Sequence, residues 1–205
     1  MPDTPGRTLK HPERSPERPP ERPIVLVGLM GAGKSTIGAR LASRLGLPFV
    51  DADTEIERAA GLTVAEIFAR YGEPCFRDGE RRVIARLVDG PPKVVATGGG
   101  AFMDPATRAL ILERCIAVWL DVDVETLAAR VARRDTRPLL HGKEPVAVLG
   151  ELAARRNPVY AEAHLAVRGG NVAHEVMVER ILAALAGLTP APGPRADCSG
   201  ETSAP

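Results

Sequence analysis

Residues 23–36 read Pro23-Ile24-Val25-Leu26-Val27-Gly28-Leu29-Met30-Gly31-Ala32-Gly33-Lys34-Ser35-Thr36, and the fold turns on this stretch. Ile24 to Val27 is an apolar, mostly β-branched run bounded by Pro23 and Gly28, the pattern of a buried strand. Ile37, Leu41 and Leu45 then recur at helical spacing until Gly46 ends the pattern. Between strand and helix, Gly28 to Ser35 fits G-x-x-x-x-G-K-[ST]. In such a loop, glycines without a Cβ let backbone N–H groups turn onto phosphate oxygens at a helix N-terminus. Lys34 can neutralise the charge of β- and γ-phosphates, and Ser35 can ligate Mg2+. Arginine is abundant in the chain, whereas lysine occurs only at Lys10, Lys34, Lys93 and Lys143, so the lysine of the loop runs against the local habit. A compact ammonium fits there and a planar guanidinium does not. A loop that merely turned a strand into a helix would need neither Lys34 nor Ser35.

Outward from this stretch, short apolar runs alternate with amphipathic segments. Pro48-Phe49-Val50, Lys93-Val94-Val95-Ala96, Ile116 to Leu120 and His164 to Val167 read as further strands. Val64, Ile67, Phe68 and Tyr71 stripe one helix, and Phe76, Val83 and Leu87 another; helical segments near 105–114, 124–134, 145–156 and 174–186 fill the gaps. Apolar strands alternating with helices predict an α/β fold with a parallel sheet covered on both faces.

The chain has 205 residues, 44% of them hydrophobic and 26% charged, with 27 Lys+Arg against 26 Asp+Glu, an ordinary globular composition. A net charge of +1 and 3% aromatic content supply neither the basic excess nor the stacking platforms of a nucleic-acid binder. An acidic ligand must therefore be held by locally placed cations. Cys75, Cys115 and Cys198 form no C-x-x-C pair and leave an odd thiol, against a disulfide framework and against a zinc site. Residues 1–23 contain no apolar core of a secretory signal, and no run approaches the roughly 18 apolar residues of a membrane span. A reducing, cytoplasmic location without membrane contact is the expectation. Prolines and mixed charges crowd residues 1–23, prolines again fill 189–205, and neither stretch has the large apolar residues to offset its ordering entropy. Both read as disordered tails around one folded domain, residues 24–188.

A second constellation follows the second strand. Asp51-Ala52-Asp53 lies at the carboxyl end, where parallel sheets bind ligands, and strand alternation is expected to put both carboxylates on one side. One could hold Mg2+ through water while the other accepts a hydrogen bond from an attacking hydroxyl. Equally, Asp53 could be a helix N-cap before Thr54-Glu55-Ile56-Glu57. Arg77 and Glu80 stand at i, i+3, the spacing of a surface ion pair. Gly98-Gly99-Gly100 follows the third strand, where three glycines are costly to order unless backbone must approach a ligand. Arg137-Pro138-Leu139-Leu140 and Arg156-Asn157-Pro158-Val159-Tyr160 each set an arginine near a rigid proline.

Taken together these segments resemble the shikimate kinase family. The resemblance runs through G-L-M-G-A-G-K-S-T at Gly28 to Thr36, D-A-D at Asp51 to Asp53, F-R-D-G-E at Phe76 to Glu80, G-G-G at Gly98 to Gly100, R-P-L-L at Arg137 to Leu140 and R-N-P-V-Y at Arg156 to Tyr160, in matching order and spacing. It implies a three-layer α/β/α P-loop kinase of the nucleoside-monophosphate-kinase type, with a five-stranded parallel sheet in order 2-3-1-4-5, a helical substrate-binding region near 54–90 and a lid near 133–146. The implied reaction is ATP-dependent phosphorylation of the 3-hydroxyl of shikimate, on the route to chorismate and the aromatic amino acids, by a monomeric enzyme.

By the same resemblance, Gly31, Ala32, Gly33, Lys34, Ser35 and Thr36 hold the ATP phosphates. Ser35 and, through water, Asp51 contact Mg2+. Asp53 binds and orients the substrate hydroxyls and takes the proton. Arg77 and Arg156, with the backbone of Gly99, clamp the shikimate carboxylate, and Glu80 holds Arg77 in place. Arg137 reaches the transferring phosphate from the lid, and Arg130 packs on adenine. The chemistry agrees: a small polyhydroxylated anion needs bidentate arginine for its carboxylate and an acceptor for its hydroxyls. A lid arginine neutralises developing charge while excluding water. Ala173 departs from the proline that many relatives carry in the loop beside adenine. Cys75 reads as packing and His141 as a solvated residue. Two rivals stand beside this reading. Another small P-loop kinase, acting on gluconate or a nucleotide, would share Lys34 and Ser35 but would not require Arg77, Gly98 to Gly100 and Arg156 together. A non-catalytic nucleotide-binding module would be expected to have lost Asp53 or a clamp arginine.

Overall fold

The computed structural model describes residues 20–132 and 144–188; the tail segments 1–19 and 189–205 and most of the expected lid, 133–143, lie outside the described residues. Strand β1 (Ile24–Val27) is buried along its whole length, and a strand with no polar face can only be central. It pairs in parallel with β3 (Val94–Ala96) on one side and β4 (Ile116–Val122) on the other. Strand β2 (Phe49–Asp51) extends the sheet from β3, and β5 (Leu165–Gly169) extends it from β4. The order is β2-β3-β1-β4-β5, the five-stranded parallel arrangement that the family resemblance implies.

Helix α1 (Lys34–Leu45) starts directly from the glycine loop and buries Ile37, Leu41 and Leu45. It stops where Gly46 takes a left-handed conformation (φ 65°) and turns its N–H back on the last carbonyls. Gly38 lets it lie close on the sheet, since a Cβ there would sit 2.6 Å from the Phe49 ring. On its exposed side α1 pairs Arg40 and Arg44 with Glu175 and Glu179 of α7 (His174–Ala186).

Helix α2 (Ala52–Ala60) packs against α3 (Val64–Val88). The two stripes read as separate helices around Tyr71 and Phe76 merge into α3, which kinks at Gly72 (φ 75°, ψ 173°) just before Pro74. Proline removes an intrahelical donor, and glycine absorbs the non-helical residue that this requires. A capping box joins Thr63 and Glu66 at the start of α3. Helices α4 (Pro105–Arg114), α5 (Val124–Ala132) and α6 (Pro145–Tyr160) complete the described body, with Pro at the first turn of α4 and of α6, where its missing N–H is harmless. No helix among the described residues is long and apolar enough to cross a membrane.

Two residues of the segment read as a tail are docked on the body. Pro23 is buried and its carbonyl accepts from Ile116 N–H at 2.8 Å. Arg22 donates to the carbonyls of Leu112, Glu113, Arg114 and Cys115 at 2.7–3.3 Å. These are the orphan carbonyls of the α4 C-terminus, where the helix dipole favours a cation. Arg22→Ala should therefore lower stability by about 1–2 kcal/mol, read as a fall in melting temperature of a few degrees. An unchanged melting temperature would show that the cap contributes nothing.

Candidate active site

The carboxyl ends of β1, β3 and β2 lie side by side because Ala96 pairs with Leu26 on one flank and Asp51 on the other. The chain leaves each strand there through a functional loop. After β1 it enters the phosphate loop, where Gly28, Gly31 and Gly33 take φ of 135°, 81° and 92°. Gly33 is the N-cap of α1 and supplies no side-chain cap, which leaves the first N–H groups of the helix directed at the cleft. Lys34 is 8% exposed, and its ammonium donates to the carbonyls of Gly28 at 2.7 Å and Leu29 at 2.9 Å. The loop thus grips its own lysine and aims it over the turn.

After β2 the geometry differs from the strand-alternation reading of Asp51-Ala52-Asp53. Helix α2 begins at Ala52, so only Asp51 belongs to the strand and Asp53 stands in the first helical turn. Asp51 is itself the N-cap, accepting from Asp53 N–H at 3.1 Å through Oδ1, because a short carboxylate before a helix satisfies an orphan N–H. Its other oxygen, Oδ2, accepts from the Ser35 hydroxyl at 2.6 Å. Both aspartates still line the cleft; the helical turn, and not strand alternation, brings them to it.

After β3 come Thr97 and the three glycines. Thr97 is 4% exposed and its hydroxyl donates to the Leu26 carbonyl at 3.0 Å, tying this turn to β1. Two of the glycines, Gly98 and Gly100, answer to close approach. A Cβ at Gly98 would stand 2.8 Å from Asp53 Oδ1 and 3.1 Å from Glu80 Oε1, and one at Gly100 would stand 2.5 Å from Arg77 Nη2. Arg156, from α6, donates to the Gly99 carbonyl at 3.0 Å. Arg77 and Arg156, far apart in sequence, therefore meet neighbouring residues of one turn.

Arg77 does not form the surface pair that its spacing suggests. Glu80 is only 3% exposed and accepts from Arg77 Nη1 at 2.6 Å, while Glu73 accepts from Arg77 Nε and Nη2 at 3.2 and 3.0 Å. Burial pushes the Glu80 carboxyl above the usual carboxylate range; the Arg77 contact pulls it back and the Asp53 charge pushes it further up. Burial works against the Arg77 charge, but Glu80 and Glu73 outweigh it and raise its pKa.

At the opposite end of the cleft Arg130 bridges two loops, donating to Gly31 at 3.5 Å and to Gly170 at 2.9 Å. The 171–174 segment, with Ala173 as N-cap of α7 and His174 following, completes that wall. The whole cleft measures about 540 Å3, ample for a small ligand beside part of a nucleotide. Arg137 and His141 lie outside the described residues, and Cys75 is exposed. Sequence reasoning assigned no part to Tyr160, Thr97, Glu73 or His174. Tyr160 alone left a legible signal, since it stands at i+4 from Arg156 on one helix face. Among the described residues no cluster of three or more His, Cys, Asp or Glu could hold a metal alone. The Ser35–Asp51 pair is a hard-oxygen set of the kind Mg2+ takes while keeping phosphate and water ligands.

Residues 30–186 match the family model "Shikimate kinase". The chain is 64% identical over 162 residues to the shikimate kinase of Caulobacter vibrioides strain NA1000 / CB15N, covering 79% of this chain and 81% of that one. It is 59% identical over 166 residues to the shikimate kinase of Novosphingobium aromaticivorans, covering 79% and 86%. Among solved structures, shikimate kinase from Acinetobacter baumannii in complex with shikimate superposes with a TM-score of 0.77 at 39% identity, covering 80% of this chain and 93% of that one. A gluconokinase from Sinorhizobium meliloti 1021, at 20% identity and a TM-score of 0.54 over 82% of this chain and 94% of that one, shares the fold alone. A family model that runs from the phosphate loop to the end of the last helix, with relatives well above half identical over 79% of the chain, places the molecule: the chain belongs to the shikimate kinase family.

Proposed function

We propose that this chain transfers the γ-phosphoryl group of ATP to the 3-hydroxyl of shikimate, giving shikimate 3-phosphate and ADP on the route to chorismate and the aromatic amino acids. The observation that carries the reading is the convergence of Arg77 and Arg156 on the Gly98–Gly100 turn beside Asp53, one strand away from the phosphate loop. An anionic, hydroxylated acceptor needs that combination. A nucleotide kinase would need only the phosphate loop beside it; gluconate is itself an anionic polyol, and against it stand the shikimate kinase relatives at 59–64% identity; a non-catalytic module would have no use for Asp53 in the cleft.

In this reading the N–H groups opening α1 and the Lys34 ammonium hold and neutralise the phosphates. Ser35 and, through water, Asp51 would hold Mg2+, whose charge would offset that of the phosphate oxygens. Arg77 and Arg156 bind the substrate carboxylate through charge-assisted hydrogen bonds, Gly99 brings backbone against it, and Glu80 keeps Arg77 at the turn. Held in this way, the 3-hydroxyl lies near Asp53, which orients it and accepts its proton. Arg130 joins the loops on either side of the base, and Arg137, assigned by its R-P-L-L setting, reaches the transferring phosphate. Ala173 holds the place beside adenine as a small apolar N-cap. A monomer working in the cytoplasm on small molecules, without nucleic acid or membrane, completes the proposal.

The reading is tested by ADP release with MgATP and shikimate, run beside gluconate and nucleoside monophosphates. Release should depend on shikimate and vanish in Lys34→Ala; a folded, ATP-binding protein that ignores shikimate would overturn it. Asp53→Asn should bind nucleotide normally and lose about two orders of magnitude in turnover, and near-normal turnover would remove Asp53 from the chemistry. Gly100→Ala meets no backbone strain, since Gly100 has φ −103°, but its methyl must displace the Arg77 guanidinium. Its KM for shikimate should rise about 10-fold or more, because a charge-assisted hydrogen bond lost from the displaced guanidinium is worth about 1.5–3 kcal/mol. The clamp assignment fails if that KM holds while the protein stays folded.

A further inference from the structure

The Gly99 carbonyl has two donors. One is Arg156 Nη1 at 3.0 Å; the other is the Tyr160 hydroxyl at 2.5 Å, one helical turn further along α6. Tyr160 is 1% exposed, and its ring lies between Phe102 (centroids 6.4 Å apart) and Trp119 (6.1 Å). Apolar packing explains the ring but not the hydroxyl, which in such a setting would be destabilising without a partner. Burial also raises its pKa to about 12, against the pull of Arg156, so the group stays an O–H donor at any working pH.

The shared acceptor matters because it places Arg156. Its Nη1 donates to the half-buried Gly99 carbonyl, and the guanidinium keeps further N–H donors for a fork on a carboxylate, so where that fork points depends on where the carbonyl is held. The Tyr160 hydroxyl holds it from a ring locked in the core. It thereby fixes the Gly99–Gly100 peptide plane, which is rigid and which spaces Arg156 on one residue from Arg77 on the next.

We propose that Tyr160 is a positioning residue of the shikimate clamp, whose hydroxyl holds the Gly99 carbonyl and, through it, the placement of Arg156 toward the substrate carboxylate. The inference rests on the kinase reading above and extends it to a buried residue outside the cleft lining.

The test is steady-state kinetics on the full chain as wild type, Tyr160→Phe, Arg156→Lys and the double variant. Phenylalanine keeps the ring between Phe102 and Trp119 and deletes only the donor. The KM for shikimate should rise about 3- to 10-fold, the factor that one net hydrogen bond supports, with kcat and the KM for ATP within about twofold of wild type. In the Arg156→Lys background the same substitution should add no further rise, because the two act through one contact. Thermal melting gives a readout that needs no turnover: Tyr160→Phe should lose part of the shift induced by shikimate and keep the shift induced by MgADP. An unchanged shikimate KM, equal losses for both ligands, or effects that multiply independently in the double variant would each overturn the role of Tyr160. Absence of shikimate turnover in wild type would instead overturn the kinase reading, and this inference with it.

Discussion

Everything in the cleft depends on the hydrogen-bonded register that sets Leu26, Ala96 and Asp51 side by side at the carboxyl end of the sheet. Successive side chains of a strand face opposite ways, so a slip of one residue between β3 and either neighbour would send the following loops to the wrong face. Burial of β1 and β3 on both sides makes that slip costly, since it would move fully packed Val94, Val95 and Ile24 out of place. The sheet thus acts as a jig: β1, β2 and β3 end within a residue of the same level, and each releases one part of the site.

Packing density is the second constraint. At Gly98 and Gly100 the space that a Cβ would fill belongs to the carboxylates of Asp53 and Glu80 and to the guanidinium of Arg77. Charged groups are therefore pressed onto bare backbone, with little room for water between them. Such crowding strengthens electrostatic contacts by lowering the local dielectric. It also explains why Glu80, nearly inaccessible, sits beside an arginine: the Arg77 contact offsets part of the desolvation penalty of burying a carboxylate.

The mutual grip of loops and side chains gives the site its preorganisation. Lys34 is held by the carbonyls of its own loop, Arg130 ties that loop to Gly170, and Thr97 ties the glycine turn to β1. Few of these side chains would have to search for a position when phosphates arrive, which is how a rigid scaffold lowers the entropy of binding.

The strand–loop–helix at Ile24 to Leu45, the alternation of apolar strands with striped helices and the phosphate loop were legible in sequence, because each is set by periodicity or by local backbone chemistry within a dozen residues. The resemblance carried the strand order and named Arg77 and Arg156 together. Tertiary structure decided the rest. Asp51 caps α2 and Asp53 rides its first turn, an outcome set by where the strand stops pairing and not by residue type. Glu80 is buried where its spacing suggested a surface pair, because α3 packs that face against the glycine turn. Arg22 belongs to the body because the carbonyl end of α4 lies beside it, some ninety residues away in sequence. Local pattern determines what each segment becomes, whereas which polar atoms end up buried together depends on contacts between segments that no short window of sequence contains.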